Sequence, residues 1–77
     1  MEYSTRDFRQ FKRTIGQNLK NIRLAKNISL EEMSRKTGLG LVFIHGLEQG
    51  KYQSDLHALF KLTTVLDIPF TYITHNT

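Results

Sequence analysis

Residues Ser29 to Gly50 read SLEEMSRKTGLGLVFIHGLEQG, and this stretch decides the fold. Ser29 followed three places on by Glu32 forms a capping box, in which each side chain satisfies a backbone N–H that the helix start leaves without a partner. Ile28 just outside and Met33 at the fourth helical position add a hydrophobic staple. Gly38 stands where the helix must end in a residue at positive φ, a state glycine adopts without steric cost. Leu39 then turns inward, a second helix runs from about Leu41 to Glu48, and Gly50 closes it.

Two short helices joined by a tight, glycine-containing turn have the geometry of a helix-turn-helix, whose second helix can enter the major groove of DNA. The flanking segments read as more helix. Phe8, Phe11, Ile15, Leu19 and Ile22 recur at spacings of three and four, one stripe of an amphipathic helix from about Arg6 to Ala25. Ser4 or Thr5 can cap its start, and Asn27 can end it by tolerating a left-handed backbone. A fourth helix follows Ser54, with Leu56, Leu59, Phe60, Leu62, Val65 and Leu66 as its apolar set. Asp67-Ile68-Pro69 stops that helix and starts a short fifth one, since proline fits a first helical turn. No stretch alternates, so no sheet is expected. The expected architecture is all-α: a compact bundle of five helices forming one domain over residues 1–77.

Composition narrows the class. A chain of 77 residues is near the lower size at which a core suffices without staples, and with no cysteine there is neither a disulfide framework nor a thiolate metal site. No apolar run approaches the roughly 20 residues that span a bilayer. The opening MEYSTRDFRQFKRT is charged and lacks the apolar centre of a secretory signal, so the expected location is cytoplasmic. The net charge of +4 is unevenly spread. Arg6, Arg9, Lys12, Arg13, Lys20, Arg23 and Lys26 crowd one segment against the single acid Asp7. Such a run is ordinarily a solvated face; beside a helix-turn-helix it favours contact with a polyanion.

The chain resembles the lambda-repressor-like, Cro/Xre-type helix-turn-helix domains of phage and bacterial regulators. The resemblance runs from Ile15 to about Ile73 and rests on many spaced residues. They are Ile15-Gly16, Leu19 and Ile22-Arg23; Ile28-Ser29 with Glu32-Met33; Gly38-Leu39; Ile44, Leu47-Glu48 and Gly50; and Leu56, Leu59, Leu62, Leu66 and Ile68. It implies a five-helix fold, double-stranded DNA as partner, operator binding through the third helix, and a two-fold homodimer. It further implies a largely buried ion pair between Arg23 and Glu48. A guanidinium and a carboxylate can share two parallel hydrogen bonds, and apolar neighbours turn both residues inward.

Carried over residue by residue, the resemblance places Gly40, Leu41, Val42, His45 and Gly46 towards DNA bases, with Phe43 at the flank and Gln49 at the helix end. Base edges are read mainly by Arg, Lys, Asn and Gln, and this helix has none of these before Gln49. Leu41 and Val42 can pack on thymine methyl groups and His45 can donate to guanine or phosphate, which leaves specificity largely to DNA shape. Leu30 replaces a glutamine that often touches phosphate in the family. Phosphate contacts are expected from Ser29 with the amides behind it, and from Lys51, Tyr52, Gln53 and Ser54 after the third helix. Arg35 and Lys36 read as surface solubility charges.

The apolar group Leu41, Val42 and Phe43 admits a second reading, in which the third helix binds a protein and the chain is an adaptor or antirepressor. Phe70, Tyr72 and Ile73 make the chain end unusually apolar and suit a homodimer interface; the alternative is that they fold back onto their own core. Enzymatic readings fail. Gly46 to Tyr52 resembles a phosphate loop only in outline, with three residues between its glycines and no Ser or Thr after Lys51. His45, His57 and His75 lack metal-ligand spacing, and no Ser, His and Asp set sits in a catalytic motif. Neither a cofactor, a metal nor a small-molecule substrate is expected.

Overall fold

The computed structural model describes residues 5–51 and 55–74. It contains five helices and, among the described residues, no strand: α1 Thr5–Ala25, α2 Leu30–Thr37, α3 Leu41–Glu48, α4 Leu56–Leu66 and α5 Thr71–Thr74. Thr5 already lies within α1, so it is not the cap, and Ser4 lies outside the described residues. The N-cap of α4 is Asp55, whose carboxylate accepts the N–H of His57 at 3.0 Å.

Local chemistry sets the helix ends. Asn27 (φ 58°) and Asp67 (φ 57°) take the left-handed state after α1 and α4. In each case the next residue reaches back across the turn: Ile28 N–H donates to Arg23 C=O and Ile68 N–H to Thr63 C=O, both at 3.1 Å. This satisfies carbonyls that a helix end leaves open. Ser29 accepts the N–H of Glu32 at 3.0 Å, one half of the capping box. The Glu32 carboxylate turns instead to Lys36, one turn on, at 3.0 Å.

The core draws on every helix. Ile15 and Leu19 of α1, Met33 of α2, Ile44 and Leu47 of α3, Leu59, Leu62 and Leu66 of α4 and Ile73 of α5 form one buried cluster. Ile22, Ile28, Leu30, Leu39, Phe43, Val65, Ile68 and Phe70 pack against it. α1 lies against both α3 and α5, and α2 against both α3 and α4. Asn18 ties the last helix to the first by donating to Ile73 C=O at 2.8 Å.

Three apolar residues depart from the expected stripes. Phe11, Leu56 and Phe60 are exposed, although Ile15 and Leu59 beside them on the same helices are buried. Ile73 moves the other way: it is 0 % exposed and belongs to the core of its own chain, so it cannot form a dimer interface. Phe70 is half-buried and stacks on Phe60 of the same chain, ring centroids 4.9 Å apart. Among the described residues no helix is long and apolar enough to cross a membrane, and no group of His, Asp and Glu is placed to hold a metal ion.

Candidate nucleic-acid interface

The connection between α2 and α3 is held by side chains as well as by its glycine. Gly38 adopts φ 77° and donates to Ser34 C=O at 2.8 Å. Thr37 donates its hydroxyl to Met33 C=O at 2.7 Å while accepting the N–H of Leu39 at 3.1 Å. Ser34 Oγ donates to Leu39 C=O at 2.6 Å. Both hydroxyls, the N–H groups of Gly38 and Leu39 and the Leu39 carbonyl are thus engaged, and these bonds hold the angle between the two helices. Sequence reading assigned no role to Ser34 or Thr37; two hydroxyls just before a left-handed glycine were the available signal.

A second set of contacts sets α3 against α1. Arg23 donates from Nε to Glu48 Oε2 at 2.6 Å and from Nη2 to Glu48 Oε1 at 3.0 Å, and both residues are 6 % exposed. The third arm of the guanidinium, Nη1, donates to Ile28 C=O at 2.8 Å. One side chain therefore joins α1, α3 and the start of α2. Desolvating two charges is costly, so such a pair fixes geometry more reliably than it adds stability. Gly16 lets the two backbones approach: a Cβ there would collide with Leu47 C=O and lie 2.7 Å from Glu48 C=O. No larger residue fits.

With its inner side fixed, α3 presents a defined outer arc. Leu41, His45 and Gln49 recur every four residues and Val42 lies beside them, so the four span about a quarter to a third of the helix circumference. All four are exposed, Val42 at 70 %. Gly40 is the exposed N-cap of α3 and supplies no side-chain bond to its first turn. Two residues expected on this face are not there. Gly46 is buried; it has no side chain to reach outward, and its carbonyl accepts Lys51 N–H at 2.9 Å. Phe43 is half-buried and packs against the core, which removes it from the apolar group expected with Leu41 and Val42.

Ser29, at the start of α2, and Lys51, just after α3, are exposed. Ser29 spends an oxygen lone pair on its cap, and its hydroxyl hydrogen remains able to donate. Tyr52, Gln53 and Ser54, expected beside them, lie outside the described residues.

The helix-turn-helix family model HTH_3 matches residues 19–73 of the chain. A comparison with curated proteins found no match. Among solved structures, the chain is similar to the restriction-modification controller protein C.AhdI from Aeromonas hydrophila, with 33 % identity over 79 % of this chain and 92 % of that one and a TM-score of 0.76. It is also similar to an HTH_3 family transcriptional regulator from Vibrio cholerae, with 26 % identity and a TM-score of 0.79. That match covers 84 % of this chain but 36 % of the Vibrio chain. A hypothetical transcription factor from Neisseria shares the fold at 20 % identity, over 87 % of this chain and 78 % of that one, with a TM-score of 0.80. Motif, buried ion pair and matches agree: the chain belongs to the helix-turn-helix family HTH_3.

Proposed function

We propose that the chain is a cytoplasmic DNA-binding regulator of transcription that represses by occupying an operator as a homodimer, one α3 in each half-site. The observation that carries this reading is the outer arc of α3, exposed along Leu41, Val42, His45 and Gln49 while its inner side is tied to α1. An α-helix held in this way fits the major groove, which is about 12 Å wide. Solved proteins similar to the chain include a restriction-modification controller and a transcriptional regulator, which supports the same reading.

In this function Gly40, Leu41, Val42, His45 and Gln49 face bases, while Ser29, Lys51 and the following Tyr52–Ser54 segment hold phosphates. Gly46 and Phe43 drop out of the base-facing set because they are turned into the fold. The arc holds a single amide, that of Gln49, so phosphate geometry and DNA shape carry most of the recognition. Leu56 and Phe60 of α4 and Tyr72 of α5 are exposed apolar groups, and Phe70 stacks on Phe60. Pairing this surface across a two-fold axis covers it and sets two α3 helices about one DNA turn, roughly 34 Å, apart.

Selection from a pool of random duplexes tests the proposal. Enrichment of a two-fold symmetric motif, lost as salt is raised, is the expected result. No retention of any duplex at low salt would overturn it and favour α3 as a protein-binding helix.

A further inference from the structure

Beside the outer arc of α3 lies an open groove of about 310 Å³ between that helix and the middle of α1. Arg13, Gln17 and Lys20 wall it on α1, and His45, Glu48 and Gln49 wall it on α3. Spacings of four and three place Arg13, Gln17 and Lys20 along one edge of α1. These three are exposed, as are His45 and Gln49. Glu48 is the exception: it is buried, and both its oxygens accept hydrogen bonds from Arg23. Its charge is therefore neutralised from within.

The charge left facing the groove is that of Arg13 and Lys20. Neither is paired with a carboxylate among the described residues, where ion pairs join Arg23 to Glu48 and Lys36 to Glu32. Arg13 stands over the end of α3, close enough that a Cβ on Gly50 would lie 3.0 Å from its Cγ. His45 and Gln49 belong both to this groove and to the arc assigned to DNA bases. A strand bordering the major groove that α3 enters must then pass beside α1.

We propose that this groove seats the phosphodiester backbone of one DNA strand, making α1 a second DNA-contacting element beside the helix-turn-helix. The inference rests on the DNA-binding function proposed above and adds residues to it. Arg13 and Lys20 are seven residues apart, roughly 10 Å along the helix at 1.5 Å per residue, so each meets a different phosphate. Gln17, whose amide nitrogen donates one hydrogen to Asn21 Oδ1 at 3.0 Å, keeps a second N–H to offer between them. Contacts of this kind raise affinity for all sequences and carry no base preference.

The test is the salt dependence of binding to a duplex that the wild-type protein retains. Replacing Arg13→Gln and Lys20→Gln together should lower the slope of log affinity against log salt by about 1.8, at about 0.9 per phosphate, with base preference unchanged. Lys20→Gln alone should give half that drop, and serves if removing the Arg13 packing beside Gly50 disturbs the fold. Lys61→Gln, on the α2–α4 side, should leave the slope unchanged. A wild-type slope in the Lys20→Gln protein, or a slope change equalled by Lys61→Gln, overturns the proposal while leaving DNA binding intact. Failure of the wild-type protein to bind any duplex at low salt overturns the DNA-binding function itself, and this inference with it.

Discussion

Arg23 and Glu48 meet through two hydrogen bonds, 2.6 and 3.0 Å long, across the interface between α1 and α3. Each nitrogen of the guanidinium donates, since the remaining arm closes the turn before α2 through Ile28 C=O. Removing one partner leaves a buried charge uncompensated, at a cost of about 3–5 kcal/mol.

Glu48→Ala should therefore lower the denaturant midpoint far more than Glu31→Ala, which changes an exposed residue in the first turn of α2 and should fall within about 0.5 kcal/mol. Equal, small losses in urea titrations of the two variants would contradict the structural role given to the pair.

Gly16 and Gly38 separate a steric demand from a backbone one. Gly38→Ala meets no atom within 4 Å, so its cost is the left-handed backbone alone, about 1–2 kcal/mol. Gly16→Ala must push α1 away from α3 and should cost more, loosening DNA binding as well. Thermal unfolding and DNA titration of both variants check this ordering; a milder effect at Gly16 than at Gly38 would refute it.

Val42 offers only methyl groups, so thymine methyls are its natural counterpart. Replacing thymine by uracil at one position of a bound duplex should weaken wild-type binding by roughly 1 kcal/mol or less. The same replacement should have a smaller effect on Val42→Ala, whose single methyl reaches less of the thymine. Lys51→Ala should instead weaken binding to every sequence and lower the salt slope by about one phosphate contact. A base-selective loss at Lys51 would contradict this division.

The α4–α5 surface gives a contrast within a few residues. Tyr72 is 58 % exposed and Ile73 is 0 % exposed. Charged substitutions at Phe60 and Tyr72 should yield a folded monomer with weakened DNA binding, whereas Ile73→Glu should unfold the chain. Sedimentation with circular dichroism distinguishes the outcomes, and an unchanged dimer mass after the Phe60 and Tyr72 changes would exclude this interface.

Much of the fold was legible because its punctuation is local. Ser29 announces a helix start through its side-chain oxygen, Gly38 and Gly50 announce helix ends through their positive φ, and α2 begins and both α2 and α3 end beside those residues. Asn27 does the same for α1. Burial was less legible, because it depends on which neighbour covers a given turn. Periodicity treats Phe11 like Ile15 and Phe60 like Leu59, yet only Ile15 and Leu59 lie under another helix. The site was legible in part for the same reason. Spacing places Leu41, Val42 and His45 on an outer arc, but only packing reveals that Gly46 is covered and that Arg13 and Lys20 line a groove beside that arc.

The central claim is that the outer arc of α3 is the surface that meets DNA. Amide chemical-shift mapping of the 15N-labelled protein on addition of a selected duplex tests it most directly. The largest shifts should fall at Leu41, Val42, His45 and Gln49, with Ser29 and Lys51 at the edges and little change along α4. Shifts confined to α4 and α5, or none at all at low salt, would contradict it.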